Sequence, residues 1–425
     1  MRLAVDAADH AGTSLNAAET VRRWLDQAAD HGAADLDFSA VVATILRRPA
    51  RAMSGGLLER AGAAQAQASG KRDQMAIKRI GLVVNDAKSE ALDAADIVRA
   101  WAREHGVPCT DLDVWEHLDG SAGMTDRQVA ASAGDPDLIV TLGGDGTLLR
   151  GVRVAASVDA LVLGVDVGRV GFLTEVRVDD VIRALDAVHA GVAEVDERLT
   201  LTMRASRPLE IPAELEVLLK YGRGPALPPP TVRHGLAHEV GWGVPEDIIA
   251  ENDVVVEKLA RDHQVGLAIY VSGRLVASYS ADGVIVSTPT GSTAYSFSAG
   301  GPVLSPQLDA LVFTPVAAHM AFNRSLVLAA DEPVSVRMLE RSGRVAVSVD
   351  GQLGGVLDPG DWIRVYAGPK RARLVRPKPT NFLARVRDRL GILGATAALA
   401  DGEPPLIYRP DDPIPPDMAH LRQPR

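Results

Sequence analysis

The tightest constraint on the fold is a junction near residue 140. There an apolar run, Asp137–Leu142 (DLIVTL), passes directly into Gly143-Gly144-Asp145-Gly146-Thr147. A short run rich in β-branched residues and stopped by glycine reads as a buried strand, and the pattern after it predicts a helix from near Leu148. The three glycines allow positive φ and a close approach of backbone to ligand. A turn of this kind aims amides and a helix N-terminus at whatever it faces, which suits phosphate oxygens. A carboxylate there repels phosphate, so Asp145 needs a reason to be present. It is a proton acceptor, a partner for bound Mg²⁺, or only the cap of the helix. The segment is neither a Walker A loop nor a GxGxxG fingerprint.

The surrounding chain repeats the strand-then-helix rhythm. RIGLVVN from Arg79, VPCTDLDVW from Val107 and LVLGVDVG (Leu161–Gly168) read as further strands. Glu90–His105, stopped by Gly106, and Asp179–Ala190, stopped by Gly191, read as helices. Such alternation predicts a Rossmann-like α/β domain with a parallel sheet over residues 78–198. Beyond Arg198 the segments become short, alternating and strand-only, as in LTLTMRAS, DVVVEK, GLAIYVSGRLVASYSA, SLVLAA, PVSVRM, RVAVSVDGQ and WIRVYA. This predicts a β-rich, sandwich-like domain over 199–380, with an insertion at 207–251 around Pro228–Pro230. An amphipathic helix at Phe382–Ile392 lies within 381–396, and 397–425 is a Pro-rich tail. Residues 1–77 read as an appended helix, begun by the capping-box spacing of Asn16 and Glu19, and an Ala/Gly/Gln-rich linker.

Composition removes several function classes. The 425 residues, enough for about two or three domains, carry 45 Lys+Arg against 55 Asp+Glu, a net charge of −10. That balance argues against a nucleic-acid surface. A lone cysteine, Cys109, excludes an internal disulfide and a Cys-rich zinc site, and reads as a small buried hydrophobe. His234 and His238 have helical spacing, but Gly235 and the preceding prolines oppose a helix and no HExxH is present, so no metal-ligand set is assigned. The KRARLVR cluster (370–376) reads as a solvated strand or partner contact. No uninterrupted apolar run approaches the ~18 residues of a membrane span, and the start lacks a signal-peptide pattern, so a cytoplasmic protein without membrane contact is expected.

Two further constellations carry chemistry. Between Ala281 and Pro302, the run ADGVIVSTPTGSTAYSFSAGGP packs Thr288, Thr290, Ser292, Thr293, Ser296 and Ser298 around glycines and Tyr295. Short hydroxyls beside an apolar strand supply donors and acceptors for a flat polar ligand, and the tyrosine adds an aromatic face. Asn252-Asp253, at the mouth of DVVVEK, suits adjacent ribose hydroxyls.

With GGDGT (143–147), GVDVGRVGFL (164–173), ND (252–253), DGVIVSTPTGSTAYSFSAGGP (282–302) and DGQ (350–352), the chain resembles the NAD kinases over about residues 78–395. The resemblance implies transfer of the terminal phosphate of ATP, or polyphosphate, to the 2′-hydroxyl of the adenosine ribose of NAD. It implies Asp145 as general base, with Gly143, Gly144, Gly146 and Thr147 around it. Phe172 would line the dinucleotide pocket; Asn252 and Asp253 would hold the adenosine portion, with Asp282 nearby and His263 as a further substrate contact. Thr293, Ala294, Tyr295, Ser296 and Ser298 would wrap the dinucleotide, and Gln352 would close the site. Mg²⁺ or another divalent cation is implied as cofactor, and a homodimer or homotetramer as the assembly. Several positions depart from the family pattern: Asp166 stands where Asn is usual, Ser280 where some relatives are basic, and Ser325 where proline commonly follows Arg324. A same-fold kinase for another hydroxylated metabolite and a non-catalytic dinucleotide sensor are the alternatives.

Overall fold

The computed structural model describes residues 77–114, 124–168, 171–174, 176–212, 241–259, 263–320, 322–376 and 382–390, with the single positions 232 and 416. The leader helix expected near Asn16, His234, His238 and most of the tail fall outside these residues. Among the described residues, no helix is long and apolar enough to cross a membrane.

The chain begins with β1 (Ile80–Val84), α1 (Ser89–Glu104), β2 (Cys109–Asp111), α2 (Asp126–Ser132), β3 (Leu138–Gly143), α3 (Asp145–Val158) and β4 (Leu161–Asp166). It continues through β5 (Val176–Arg177), α4 (Val181–His189) and β6 (Glu194–Arg198). The sheet order is β2-β1-β3-β4, these four parallel, with β5 beside β4 and β6 further out, joined antiparallel through a strand from the end of the chain. Its strands are apolar on both sides because helices cover both faces. On one face Ile80, Leu82 and Leu163 pack with Ala94, Val98 and Trp101 of α1 and Leu185 of α4. On the other, Val83, Ile139 and Val162 pack with Leu148 and Val152 of α3 and Val129 of α2. Strand β1 therefore hands the chain to one face and outward to β2, while β3 hands it to the opposite face and outward to β4. The carboxyl ends of β1 and β3 form the switch point where ligand crevices open in such sheets.

The β-rich half consists of two antiparallel sheets. Strands β7 (Leu201–Ala205), β8 (Val244–Pro245), β9 (Asp253–Lys258), β10 (Val265–Val271), β11 (Arg274–Ala281) and β12 (Gly283–Ser287) lead to a one-turn helix, α5 (Tyr295–Ser298). Then come β13 (Ala310–Val316), β14 (Leu326–Ala329), β15 (Val334–Met338), β16 (Val345–Val349), β17 (Gln352–Leu357) and β18 (Trp362–Ala367). One sheet runs β11-β10-β15-β18-β7-β8 and the other β14-β13-β12-β9-β16-β17. Their inner faces share one core: Met203, Leu267 and Val336 from the first sheet meet Val254, Val284, Phe313 and Val347 from the second. An α/β domain followed by a β sandwich is the architecture expected from sequence.

Three local features differ from the sequence reading. Helix α3 starts at Asp145, not near Leu148, because Gly144 takes the extended N-cap position and its carbonyl accepts from Thr147 and Leu148 at 3.0 and 3.1 Å. Strand β13 was not anticipated; its run ALVFTPV is interrupted by Pro315 and lacks strict alternation. The basic cluster is not a solvated strand. Ala372–Arg376 forms β19, which enters the first sheet between β4 and β6 with Leu374 and Val375 buried. Arg371, just before the strand, and Arg373 within it project to Asp309 and to the Asp159 carbonyl at the sheet margin, so charge at alternate positions masked a buried strand. The chain thus returns to the α/β sheet before helix α6 (Phe382–Arg389) begins.

Candidate active site

The site is built around the first turn of α3. Because Gly144 is the N-cap, Asp145 does not cap the helix, and its carboxylate turns outward to the loop after β4. It accepts from the backbone amides of Phe172 at 2.8 Å, Leu173 at 3.1 Å and Thr174 at 3.2 Å, and from the Thr174 hydroxyl at 3.3 Å. This cradle requires a glycine at 171, since a Cβ there would sit 1.9 Å from Asp145 Oδ1. The loop is pinned from the far end of the chain. Arg376 donates to the Leu173 carbonyl at 3.2 Å, and Arg385 of α6 donates to the Phe172 carbonyl at 3.0 Å. Thr147 is buried, with its side chain seated against Gly143.

Beside this turn, Asp166 pairs with Gly143 across the sheet. Its Oδ1 accepts from the Gly168 amide at 2.8 Å, while its buried Oδ2 has no hydrogen-bond partner among the described residues. Lys88, at the N-cap of α1, brings its Nζ to the edge of Gly168. The carboxyl ends of β1, β3 and β4 therefore combine a carboxylate, a lysine and the N-termini of α1 and α3.

The second half of the site is a clamp of carboxylates and amides. Asp350 sits in the left-handed region (φ 48°) at the turn between β16 and β17. Its carboxylate accepts from the amides of Glu251, Asn252 and Asp253 at 3.0, 2.8 and 3.1 Å. The STPTG turn closes on the same residues. The Thr288 amide donates to the Asn252 carbonyl at 2.9 Å, and its hydroxyl to the Glu251 carbonyl at 2.6 Å. Gly291 has no alternative here: a Cβ would lie 2.0 Å from the Asn252 carbonyl oxygen. Burial pushes the Asp253 carboxyl up to about 7, helped by Asp350 nearby. Burial pushes Glu251 up to about 8, and among the described residues neither of its carboxyl oxygens has a hydrogen-bond partner. The Asp350 carboxyl is raised by burial too, opposed by the three amides and Arg153, although part of the residue stays exposed.

Downstream, Ser292 donates to the Pro289 carbonyl at 2.7 Å and accepts from the Leu304 amide at 2.9 Å. Ser296 is fully buried and linked to Thr314 at 2.9 Å, which reaches Ser325 at 3.0 Å. Tyr295 on the same turn is 41% exposed, so an aromatic surface is presented while the neighbouring hydroxyl is committed inward. Thr293 donates to the Thr290 carbonyl at 3.3 Å.

Both halves match known family models. Residues 80–193 match the ATP-NAD kinase N-terminal domain and residues 251–377 the ATP-NAD kinase C-terminal domain. The chain is 57% identical over 350 residues to NAD kinase 1 of Streptomyces coelicolor, covering 82% of this chain and 96% of that protein. This chain belongs to the NAD kinase family. NAD kinase 1 of Streptomyces avermitilis is 56% identical over 350 residues, with 82% and 97% covered. Among solved structures, the fold resembles yeast NADH kinase complexed with NADH, with a TM-score of 0.57 at 23% identity over 76% of this chain and 89% of that one. It also resembles an NAD kinase from Archaeoglobus fulgidus in complex with ATP, with a TM-score of 0.50 at 20% identity over 75% and 99%.

Set in the NAD kinase fold, the predicted residues fall into three groups. Gly143, Gly144, Asp145, Gly146, Thr147 and Phe172 form one cluster around the Asp145 cradle. Asn252 and Asp253 meet the turn that leads into Thr293, Ala294, Tyr295, Ser296 and Ser298, and Gln352 follows the Asp350 turn. Asp282 and His263 are not brought in. Ser287 pairs with Asp253 and Gly283 with Glu257, so Asp282 lies at the other end of β12, about 20 Å from Thr288 at strand rise. There its carboxylate is ion-paired with Lys258 at 2.6 Å, and His263 lies just before β10 beyond the same end. Residues passed over in the sequence include Thr174, Glu251 and Arg153, and Asp350 was quoted in DGQ without a role. For Asp350 a signal existed: Asp-Gly between two alternating runs marks a tight hairpin turn.

Proposed function

We propose that this chain transfers the terminal phosphate of ATP to the 2′-hydroxyl of the adenosine ribose of NAD, giving NADP and ADP, with Asp145 as general base. The observation that carries this reading is the asymmetry of the Asp145 carboxylate. Oδ1 accepts from Leu173, Thr174 and the Thr174 hydroxyl, whereas among the described residues Oδ2 accepts from Phe172 alone. A carboxylate oxygen offers about two lone-pair directions, so Oδ2 retains one for a substrate proton. As the ribose oxygen bonds to phosphorus and the bond to ADP breaks, the hydroxyl proton passes to Oδ2. The fixed loop amides hold the base in place, and its contribution is orientation and proton acceptance.

Charge on the donor phosphates is met locally. The α3 amides, Lys88 and Arg150, whose guanidinium donates to the Gly146 carbonyl at 3.2 Å, stand at this end of the sheet. Among the described residues no group of three His, Cys, Asp or Glu side chains could hold a metal ion. We read a divalent cation as arriving with ATP, held by the phosphates and water. We assign the chain to the cytoplasm, with a homodimer or homotetramer as its assembly.

The alternative of a non-catalytic dinucleotide sensor gains no support, since a sensor has no use for a cradled base. The test is a matrix of donors (ATP, polyphosphate) and acceptors (NAD, NADH, other hydroxylated nucleotides) with and without Mg²⁺. ATP-dependent conversion of NAD to NADP is expected, and its absence across the matrix contradicts the reading.

A further inference from the structure

Arg153 lies on α3 eight residues beyond Asp145, about 12 Å further along the helix. Its side chain is only 7% exposed, yet it does not form the bidentate carboxylate pair that usually accompanies a buried guanidinium. Instead Nη1 donates to the side-chain carbonyl of Gln352, across the boundary between the α/β domain and the sandwich. Nε lies 3.5 Å from Asp126 Oδ2 on α2 and makes no hydrogen bond. Asp350, two residues before Gln352, lies within its electrostatic reach. Asp350 is in turn the acceptor for the amides of Glu251, Asn252 and Asp253.

A guanidinium serving only as interdomain glue would be better matched by a second carboxylate than by an amide. What Arg153 does join are two rigid pieces of the site: the helix whose first residue is Asp145, and the hairpin whose turn holds Asn252-Asp253. We propose that Arg153 is a positioning residue for the dinucleotide, fixing through Gln352 and Asp350 the separation between the Asn252-Asp253 clamp and the Asp145 cradle. The inference rests on the function proposed above, in which the clamp holds the ribose and Asp145 takes its proton. A change at Arg153 should therefore act on the acceptor substrate and leave the ATP side of the site largely alone.

The test compares kcat and the KM for NAD and for ATP in the full-length wild type and in Arg153→Met, Arg153→Lys and Gln352→Met, with a thermal melt of each. Wild type that forms no NADP contradicts the functional reading itself; only an active wild type brings the variants to bear on Arg153. A hydrogen bond involving a charged group is worth enough to expect a rise of about tenfold in KM for NAD in Arg153→Met, with KM for ATP within about twofold. Gln352→Met should move in the same direction, Arg153→Lys should restore much of the loss, and a variant combining Arg153→Met with Gln352→Met should be no worse than Arg153→Met alone. If Arg153→Met does not fold, Gln352→Met carries the decision by the same criterion. A KM for NAD within about twofold of wild type in folded Arg153→Met or Gln352→Met, or a fall in kcat with both KM values unmoved, overturns the proposal.

Discussion

Asp145 and Asp350 each gather three consecutive backbone amides, those of 172–174 and of 251–253, but in opposite settings. Asp145 opens a helix of 14 residues, beside its positive end, and its partners belong to a loop that glycine alone allows to come so close. Asp350 stands at a hairpin turn among other acids, Glu251 and Asp253, all raised by burial. The difference teaches a division of labour. A carboxylate beside a helix N-terminus, with a lone pair left over, is built to receive a proton. One surrounded by buried acids is built to hold the backbone around it.

If that division is right, substitutions at the two sites should separate turnover from binding. Asp145→Asn keeps the shape and removes the base, so kcat for NADP formation should fall by about 10³-fold. Gly171→Ala drives a methyl into the cradle and should cost about 10²-fold in kcat through misplacement of Asp145, with NAD affinity preserved. Asp350→Asn leaves one of the three amides facing an NH₂ group, and KM for NAD should rise about tenfold in steady-state kinetics while kcat changes less than about threefold. A loss of kcat as large as that in Asp145→Asn would erase the distinction.

The smallest effect concerns stability. Glu251 is neutral in the folded protein up to about pH 8, whereas its ordinary value is 4.5. Across that window the folded state binds more protons than the unfolded one, so stability is greatest at the acid end and falls as pH rises through the folded value. Glu251→Gln removes this dependence. Relative to wild type, its Tm should improve by about 3 °C more at pH 8 than at pH 5, as read by calorimetry. An equal change at both pH values would mean that Glu251 is ionised in the fold.

The two halves also differ in how far the sequence announced them. The parallel strands were legible because β1, β3 and β4 are short apolar runs ending in glycine or turn residues, whereas GLAIYVSGRLVASYSA, read as one strand-like segment, is a hairpin of β10 and β11 turning at Ser272-Gly273. Strand β19 was not legible, since local charge hid a position that only long-range pairing with β4 and β6 defines. In the site, the GGDGT motif pointed to Asp145, but its cradle comes from a loop some 27 residues on, pinned by arginines more than 200 residues away. Glu251 and Arg153 could not be singled out because their meaning lies in burial and in contacts across the domain boundary. Asp282 and Asp253 look alike as carboxylates flanking apolar strands, and only antiparallel register places them at opposite ends.

The central claim is that the cradled Asp145 serves chemistry rather than binding. It is tested most directly by measuring NAD affinity by calorimetry and the single-turnover rate of NADP formation with Mg²⁺-ATP in the same Asp145→Asn preparation. The account predicts a Kd within about threefold of wild type beside a rate lower by about 10³-fold. A rate close to wild type, or a rate loss matched by an equal loss of affinity, contradicts it.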